Sequence, residues 1–456
     1  MNELEKRSVA ALASVYAMRM LGLFMVLPVF VLLSGDLEGA TPALIGLAIG
    51  SYGLSQALLQ IPFGMLSDRF GRKRMIYLGL ILFAAGSVVA ASSASIYGVI
   101  FGRILQGAGA IASVLMALLS DLTREEQRTK AMATVGVSIG LSFSVSLVIG
   151  PLIGNAFGLS GIFYCTAVLA VIAMFIVARL VPQPHQRAVN PDTQPARAML
   201  GQVLTDQRLL RLDFGIFSLH LVLTSVFLVV PSLLTEKVGL ATEHHWWLYL
   251  SVMVTSFCAM VPLIIIGEKK RMMKPILAGA ITLLLIAVVG LSQASGSLVE
   301  MWITLFLFFM GFNLLEASLP SLISKECRAG SKGTAMGAYS TSQFMGAFLG
   351  GSVGGLLLEH AGITGVLALM AVVLCCWLGV ALTMPAPSHT SSFVIQLRNA
   401  ARSDAREVDQ TLRELPGVED VVILEGADTA YLKVDRQLFD EERLAEFPFV
   451  QPASAT

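Results

Sequence analysis

Charge is what this chain has least of. Only 14% of its 456 residues are Asp, Glu, Lys or Arg, against 55% hydrophobic, and its mean hydropathy is +0.75. A soluble globular chain carries about a quarter charged residues, so the deficit excludes an ordinary soluble domain and points to a polytopic membrane protein. The formal net charge is zero, which implies no nucleic acid or other polyelectrolyte partner. Five cysteines (Cys165, Cys258, Cys327, Cys375 and Cys376) follow no metal-ligand spacing and lie in or beside apolar segments, where cysteine acts as a small hydrophobe. No metal and no cofactor is expected. A phosphate-binding G-x-x-x-x-G-K-[ST] loop and a nucleophile arrangement in credible context are also missing, so the chain does not read as an enzyme. Residues 1–7 lack a small-residue cleavage site before a long apolar run, which reads as a retained first helix rather than a signal peptide.

What is there is a series of long apolar runs. A spanning helix needs about 20 mostly apolar residues. Such runs fall near 9–33, 42–66, 74–92, 96–120, 130–156, 161–181, 209–233, 246–266, 275–293, 299–323, 334–358 and 363–383, which makes twelve. A Pro/Gln/Arg-rich connector at 182–207 separates six from six. In the loops and ends, twenty-one lysines and arginines fall on one face and only Lys237 on the other. Positive charge marks the cytoplasmic side, so both termini are expected to be cytoplasmic.

The halves repeat. Pro62 with Asp68-Arg69 is echoed by Pro262 with Glu268-Lys269, and Arg74 by Lys274. Ser120, Lys130-Ala131-Met132 returns 204 residues later as Ser324, Thr334-Ala335-Met336. Matched polar positions make chance similarity of apolar sequence a weak account. The expected fold is all-α and polytopic, two six-helix pseudo-repeats, with a substrate site near the midplane between them.

Residues 64–74 read Gly-Met-Leu-Ser-Asp-Arg-Phe-Gly-Arg-Lys-Arg, a charged turn between two apolar runs. It resembles the G-x-L-a-D-r-x-G-r-k-x loop of the major facilitator superfamily. That resemblance implies a conformational gate made of Gly64, Asp68, Arg69, Gly71, Arg72 and Asp121. In it, Arg72 bridges Asp68 and Asp121, while Asp68 sits near the start of the eleventh helix around Gly333-Thr334. The bland alternative, topology signalling by positive charge, explains the arginines but not Gly64, Asp68 or Asp121. Gly150-Pro151-Leu-Ile-Gly154 resembles in part the helix 5 motif of drug–proton antiporters, although Ser146 and Asn155 stand where that motif has glycine.

Ionisable residues at membrane depth are costly and mark function. Arg19, Arg103, His220 and Glu316 fall on helices 1, 4, 7 and 10, which the resemblance places around the central cavity. Glu316 and His220 are candidates for proton coupling because both can titrate near neutral pH in such a setting. Each also has a structural reading, as a carboxyl or imidazole satisfied between helices. Arg103, in Arg-Ile-Leu-Gln-Gly-Ala-Gly, resembles a family motif whose arginine influences proton transfer; its alternative is an anchor to helix 1 through backbone carbonyls. Arg19 binds an anionic group or snorkels to the surface. Tyr16, Phe24, Gln106 and Asn313 are cavity candidates, with packing as the alternative for the aromatics.

After Pro385 the composition turns soluble. A strand at 393–397, a helix at 404–415 capped by Asp404, strands at 421–424 and 431–434 around a 426–428 turn, and a last helix near 440–446 suggest a small ferredoxin-like α+β domain over 385–456. Its Leu415-Pro-Gly-Val418 passage resembles heavy-metal-associated domains, but the segment has no cysteine, so their metal-binding pair is missing.

These features resemble bacterial superfamily members of the drug–proton antiporter type that carry a C-terminal ferredoxin-like (YAM) domain. The resemblance implies a multi-pass protein of the bacterial inner membrane with a 1–181 half and a 208–384 half. It would exchange protons for a small hydrophobic or amphipathic molecule by alternating access, with the lipid bilayer as its other partner. Symport or facilitated exchange of a small anionic metabolite is the transport alternative. A sensor acting through the C-terminal domain, which would serve regulation or self-association, is the alternative of another class.

Overall fold

The computed structural model describes residues 1–182, 197–328, 331–385, 390–397, 405–423, 429–435, 438–440, 443–444, 447 and 449–450. Most of the expected 182–207 connector, the Asp404 cap, the 426–428 turn and most of the last expected helix lie outside the described residues.

The bundle begins with α1 (Glu3–Phe24), started by a capping box in which Asn2 and Glu5 exchange side-chain and backbone hydrogen bonds. The helix breaks at 25–29, around Pro28, and resumes as α2 (Phe30–Leu33). α3 (Pro42–Phe70) has a Thr41 cap and Pro42 in its first turn. It stops at Gly71, whose φ of 99° is a left-handed conformation open to glycine, and α4 (Arg72–Ser92) follows at once. α5 (Ile96–Ala108) and α6 (Ala112–Asp121) are one apolar run interrupted at 109–111.

Two long rods each hide a joint. α7 (Glu125–Leu180) turns at Gly158 (φ 66°, ψ −169°) and α13 (Lys332–Thr383) at Gly362 (φ 63°, ψ −164°). The two glycines lie 204 residues apart, the spacing of the sequence repeat. Between these rods run α8 (Arg197–Thr205), α9 (Gln207–Glu236), α10 (His245–Lys269), α11 (Met273–Ser292) and α12 (Leu298–Glu326). Among the described residues, nine helical runs are long and apolar enough to cross a membrane, the two jointed rods counting once each. α9 is the most enclosed of them.

Lipid is as apolar as leucine, so close van der Waals approach holds such a bundle together, and small residues allow it. α13 packs on both α9 and α3. A Cβ on Gly46 would stand 2.2 Å from the Gly351 carbonyl oxygen, and one on Gly50 2.6 Å from that of Phe348. These contacts sit in the first half of α3. The Ala43 amide donates to Glu359 there as well (2.9 Å). That end lies opposite the basic loop at 69–74, hereafter the basic end.

The C-terminal unit places β1 (Thr390–Gln396), α14 (Ala405–Arg413), β2 (Val418–Ile423) and β3 (Thr429–Asp435) in an antiparallel sheet of order β1-β3-β2. Alternation sends Ala430, Leu432 and Val434 into a core with Val408 and Leu412 of α14. The other face of β3 carries Lys433, buried against the bundle, where its Nζ donates to the carbonyls of Ser324 (2.6 Å) and Lys325 (3.0 Å). Asp435 pairs with Arg271 at 3.2 Å.

Candidate functional site

Three helices of the C-terminal half bring together His220 (α9), Glu316 (α12) and Gln343 (α13). The Gln343 amide nitrogen lies 2.8 Å from His220 Nε2 and donates to Glu316 Oε1 at 3.4 Å. His220 Nε2 stands 3.9 Å from Glu316 Oε2. An amide that donates to both needs an unprotonated Nε2, so the imidazole is neutral in this arrangement. Glu316 Oε2 has no hydrogen-bond partner, and its side chain keeps 32% of its surface open. A part-enclosed carboxyl with one oxygen buried and unbonded, and no arginine bonded to it among the described residues, is equipped to take and release a proton.

An aromatic wall closes over this cluster. Phe312 lies 6.1 Å from the His220 ring and 5.5 Å from Phe143 of α7, and Phe24 of α1 meets Phe143 edge-on at 5.0 Å. The Phe143–Phe312 contact therefore joins the two halves. Asn313, three residues from Glu316, turns instead to α10 and donates to Ser256 (3.1 Å).

The two arginines lie apart from the cluster, in the N-terminal half. Arg103 is 1% exposed, donates to the Ala48 (3.3 Å) and Ile49 (3.5 Å) carbonyls of α3 and to Gln106 (2.9 Å), and stacks over Tyr52. Gln106 passes the network to Ser87 of α4 (2.7 Å). Arg103 thus ties α5 to α3. Arg19, 2% exposed, donates to Gln56 and to the Gly109 carbonyl (3.1 Å), which the break between α5 and α6 makes available. Its Nε and Nη1 have no partner. Tyr16 is half-buried beside Arg19 and Tyr52.

At the basic end, Arg72 is wedged between two acids: Nη2 to Asp68 at 2.6 Å and Nε to Asp121 at 3.1 Å. Its Nη1 also bonds Ser67. Gly64 admits α6, since a Cβ there would meet Ser113 Oγ at 3.2 Å. Arg69 is exposed and lies over Phe70. On α7, Gly150 lets the helix reach the broken part of the first span: a Cβ would be 2.3 Å from the Met25 carbonyl oxygen. Pro151 follows inside the helix, and Gly154 faces Leu33.

Sequence reasoning missed Gln343, which is polar but not ionisable, and Asp213, a carboxylate inside the expected 209–233 span. Asp213 is 6% exposed and its Oδ1 has no partner. The signal for it was present, an acid between Leu212 and Phe214. Among the described residues, no cluster of three His, Cys, Asp or Glu is placed to hold a metal.

Comparison with known proteins follows the same lines. The sequence profile of the Major Facilitator Superfamily matches residues 12–351. The inner membrane transport protein YajR of Escherichia coli is 46% identical over 95% of each chain. The multidrug resistance protein MdtH of Aeromonas salmonicida is 28% identical over 76% of this chain and 86% of its own. Among solved structures, a bacterial homologue of the human lysosomal transporter Spinster, inward-facing and occupied, superposes with TM-score 0.69 at 13% identity, over 84% of this chain and 98% of that one.

Proposed function

This chain belongs to the major facilitator superfamily, and from that premise we propose that it is a proton-coupled exporter of hydrophobic or amphipathic compounds in the bacterial inner membrane. The observation that carries the reading is the Glu316–Gln343–His220 cluster, a carboxyl with one buried, unpartnered oxygen inside the helical bundle. Protonation of Glu316 removes a charge from that interior; deprotonation restores it. Each state favours a different exposure of the site, which couples proton flow to alternating access. The aromatic wall of Phe24, Phe143 and Phe312 supplies apolar contact area for an amphiphile. The names of two relatives, an inner membrane transport protein and a multidrug resistance protein, agree with export.

In this reading the spans number twelve. The jointed rods α7 and α13 count as two each, α1 with α2 as one, and α5 with α6 as one. Residues 1–181 and 208–384 form the moving halves, and 182–207 links them. Both ends of the chain face the cytoplasm, on the basic side. The close α3–α13 packing at the opposite end then describes a form open toward the cytoplasm. Arg72, held between Asp68 and Asp121, keeps the gate elements of the N-terminal half together for closure against the other half. Residues 385–456 form a ferredoxin-like regulatory module, resting on α12 through Lys433.

A second reading, proton-linked movement of a small anionic metabolite, draws on Arg19, a buried cation with two unpartnered nitrogens. Proteoliposomes under an imposed pH gradient separate the two. Ethidium and other lipophilic cations should move against the proton gradient, and Glu316→Gln should abolish the movement. Flux of the same probes that is unchanged in Glu316→Gln would remove Glu316 from the mechanism. Gradient-driven uptake of carboxylate probes alone would favour the second reading.

A further inference from the structure

We propose that Asp213 is a second proton-binding carboxylate, lying between the Glu316 cluster and the basic end and reached from Glu316 when the Tyr339 hydroxyl turns to bridge the two. This rests on the proton-coupled reading above and specifies the route its protons take.

The argument begins with register. α9 and α13 run parallel: Gly346 packs on Phe217, Gly350 on Leu221 and Gly354 on Ser225 and Leu228. Gln343 meets His220 in the same sense. Asp213 lies seven residues before His220, about 10 Å toward the basic end at 1.5 Å per residue. Tyr339 lies four residues before Gln343, about 6 Å in the same direction. The aspartate and the phenol therefore occupy neighbouring levels on two helices in contact, one to two turns below the cluster.

Both are enclosed and unsatisfied. Asp213 is 6% exposed and Tyr339 3%, and neither Asp213 Oδ1 nor the Tyr339 hydroxyl has a hydrogen-bond partner. Tyr339 is close enough to both Glu316 and Asp213 to feel their charges. A purely structural aspartate would be tied to donors, because burial without them costs several kcal/mol. Here the charged neighbours are otherwise engaged. From α9 itself, Arg208 pairs with Glu326 at 3.5 Å and Arg211 donates to the Thr383 carbonyl at 2.8 Å. From α13 the ionisable group that feels Asp213 is Tyr339, and the acids on this part of α12 are Glu316 and Glu326, the latter paired with Arg208. An unpaired acid on the enclosed α9 is a functional residue by the usual logic of membrane interiors.

The transfer balances. In the arrangement described the Tyr339 hydroxyl bonds neither acid; once it turns to bridge them, a proton leaves the Glu316 carboxyl and is accepted by the Tyr339 oxygen, while the phenol's own proton passes to Asp213. The phenol ends neutral, Glu316 ends as carboxylate, and Asp213 ends protonated, to discharge toward the basic end.

The test uses full-length, substrate-free protein in lipid vesicles. Infrared difference spectra are recorded between about pH 9 and pH 5, the range in which perturbed carboxyls titrate. The native protein should show two buried carboxyls gaining protons. Asp213→Asn and Glu316→Gln should each remove about half of that signal, and together they should remove it all. Tyr339→Phe should keep both signals but slow proton uptake after a pH jump about a hundredfold, the lower range of losses when a proton-transfer group is removed. A native-sized signal in Asp213→Asn, or a native uptake rate in Tyr339→Phe, overturns the relay. Gradient-driven ethidium flux that survives Glu316→Gln overturns the transport reading and the relay together. Flux abolished by Glu316→Gln beside an unaltered Asp213→Asn titration overturns the relay alone.

Discussion

Closure of the far end depends on glycine, and replacing Gly46 with alanine should pull it open. The Cβ of Gly46→Ala would fall 2.2 Å from the Gly351 oxygen and 2.6 Å from the Gly355 Cα, where ordinary contact begins at 3.4 Å. Both obstacles are backbone, so no side chain can swing away, and the helices must part by about 1.2 Å at that point. Overpacking of this kind costs about 1–3 kcal/mol. At 1.4 kcal/mol per factor of ten, the population closed at the far end falls roughly 5- to 150-fold relative to the alternative. The assay is disulfide trapping of a Cys pair introduced by Ala43→Cys and Glu359→Cys, positions whose backbone amide and carboxylate now touch. Trapping should slow by at least about fivefold when Gly46→Ala is added. Gly136→Ala is the control, because nothing lies within 4 Å of a Cβ there. Equal trapping rates in the Gly46→Ala and Gly136→Ala backgrounds would refute the claim that α3–α13 contact sets this conformation.

Three further outcomes are expected. Arg103→Lys should lower the thermal unfolding midpoint, by an amount equivalent to about 1–3 kcal/mol, because an ammonium cannot reach the Ala48, Ile49 and Gln106 acceptors in one fork; an unchanged midpoint would mean those bonds hold nothing. Burial alone would raise the Glu5 pKa, but hydrogen bonds from the Arg124 backbone and side chain hold it down, to about 2 from 4.5. A depressed carboxyl contributes stability above pH 4.5 that is lost as the pH falls toward 2, so Glu5→Gln should flatten the acid limb of a melting-point profile across that window and leave its neutral part lowered. Lys433→Ala should free β3 from the end of α12 and speed trypsin cleavage after Arg398 and Arg402, between β1 and α14, with unaltered cleavage counting against the docking contact.

The spans were legible because hydropathy over twenty residues is a coarse and robust signal. It registers side chains, however, and not backbone. The break at 25–29 and the one at 109–111 fall inside apolar runs, and only Pro28 and Gly109 hinted at them. Gly158 and Gly362 bend helices that composition alone divides into separate spans. The Arg72 contacts were readable as a pattern of glycine and charge, since Asp68 and Arg72 are one helical turn apart in sequence. His220 and Glu316 were found as rare ionisable residues, but Gln343, the amide between them, carries no such mark. Asn313 shares a helix with Glu316, yet a neighbour on another helix, Ser256, decides where its amide points. Asp213 was passed over because it sits near the start of its span, where a charge ordinarily reaches solvent. Packing against α13 is what denies it that exit.

The repeat preserves backbone and divides chemistry. The joints at Gly158 and Gly362 have nearly the same dihedral angles, so both halves turn their fifth element into their sixth in the same way. Their interiors are opposite in kind. The N-terminal half buries Arg19 and Arg103, and Arg103 is spent on backbone carbonyls and glutamine that hold α3, α4 and α5 together. Guanidinium groups do not change charge in the physiological range, so this half is electrostatically constant. The C-terminal half holds His220 and Asp213 buried and Glu316 half-buried, the groups to which the proposal above assigns the changes of charge. Coupling of protons to a conformational change needs one partner whose charge varies and another against which the variation is felt. In the coupling proposed above, two halves with opposite buried charge meet that requirement, and the contact between them, where Phe143 reaches Phe312 and α3 meets α13, is where a change in one half must be transmitted to the other.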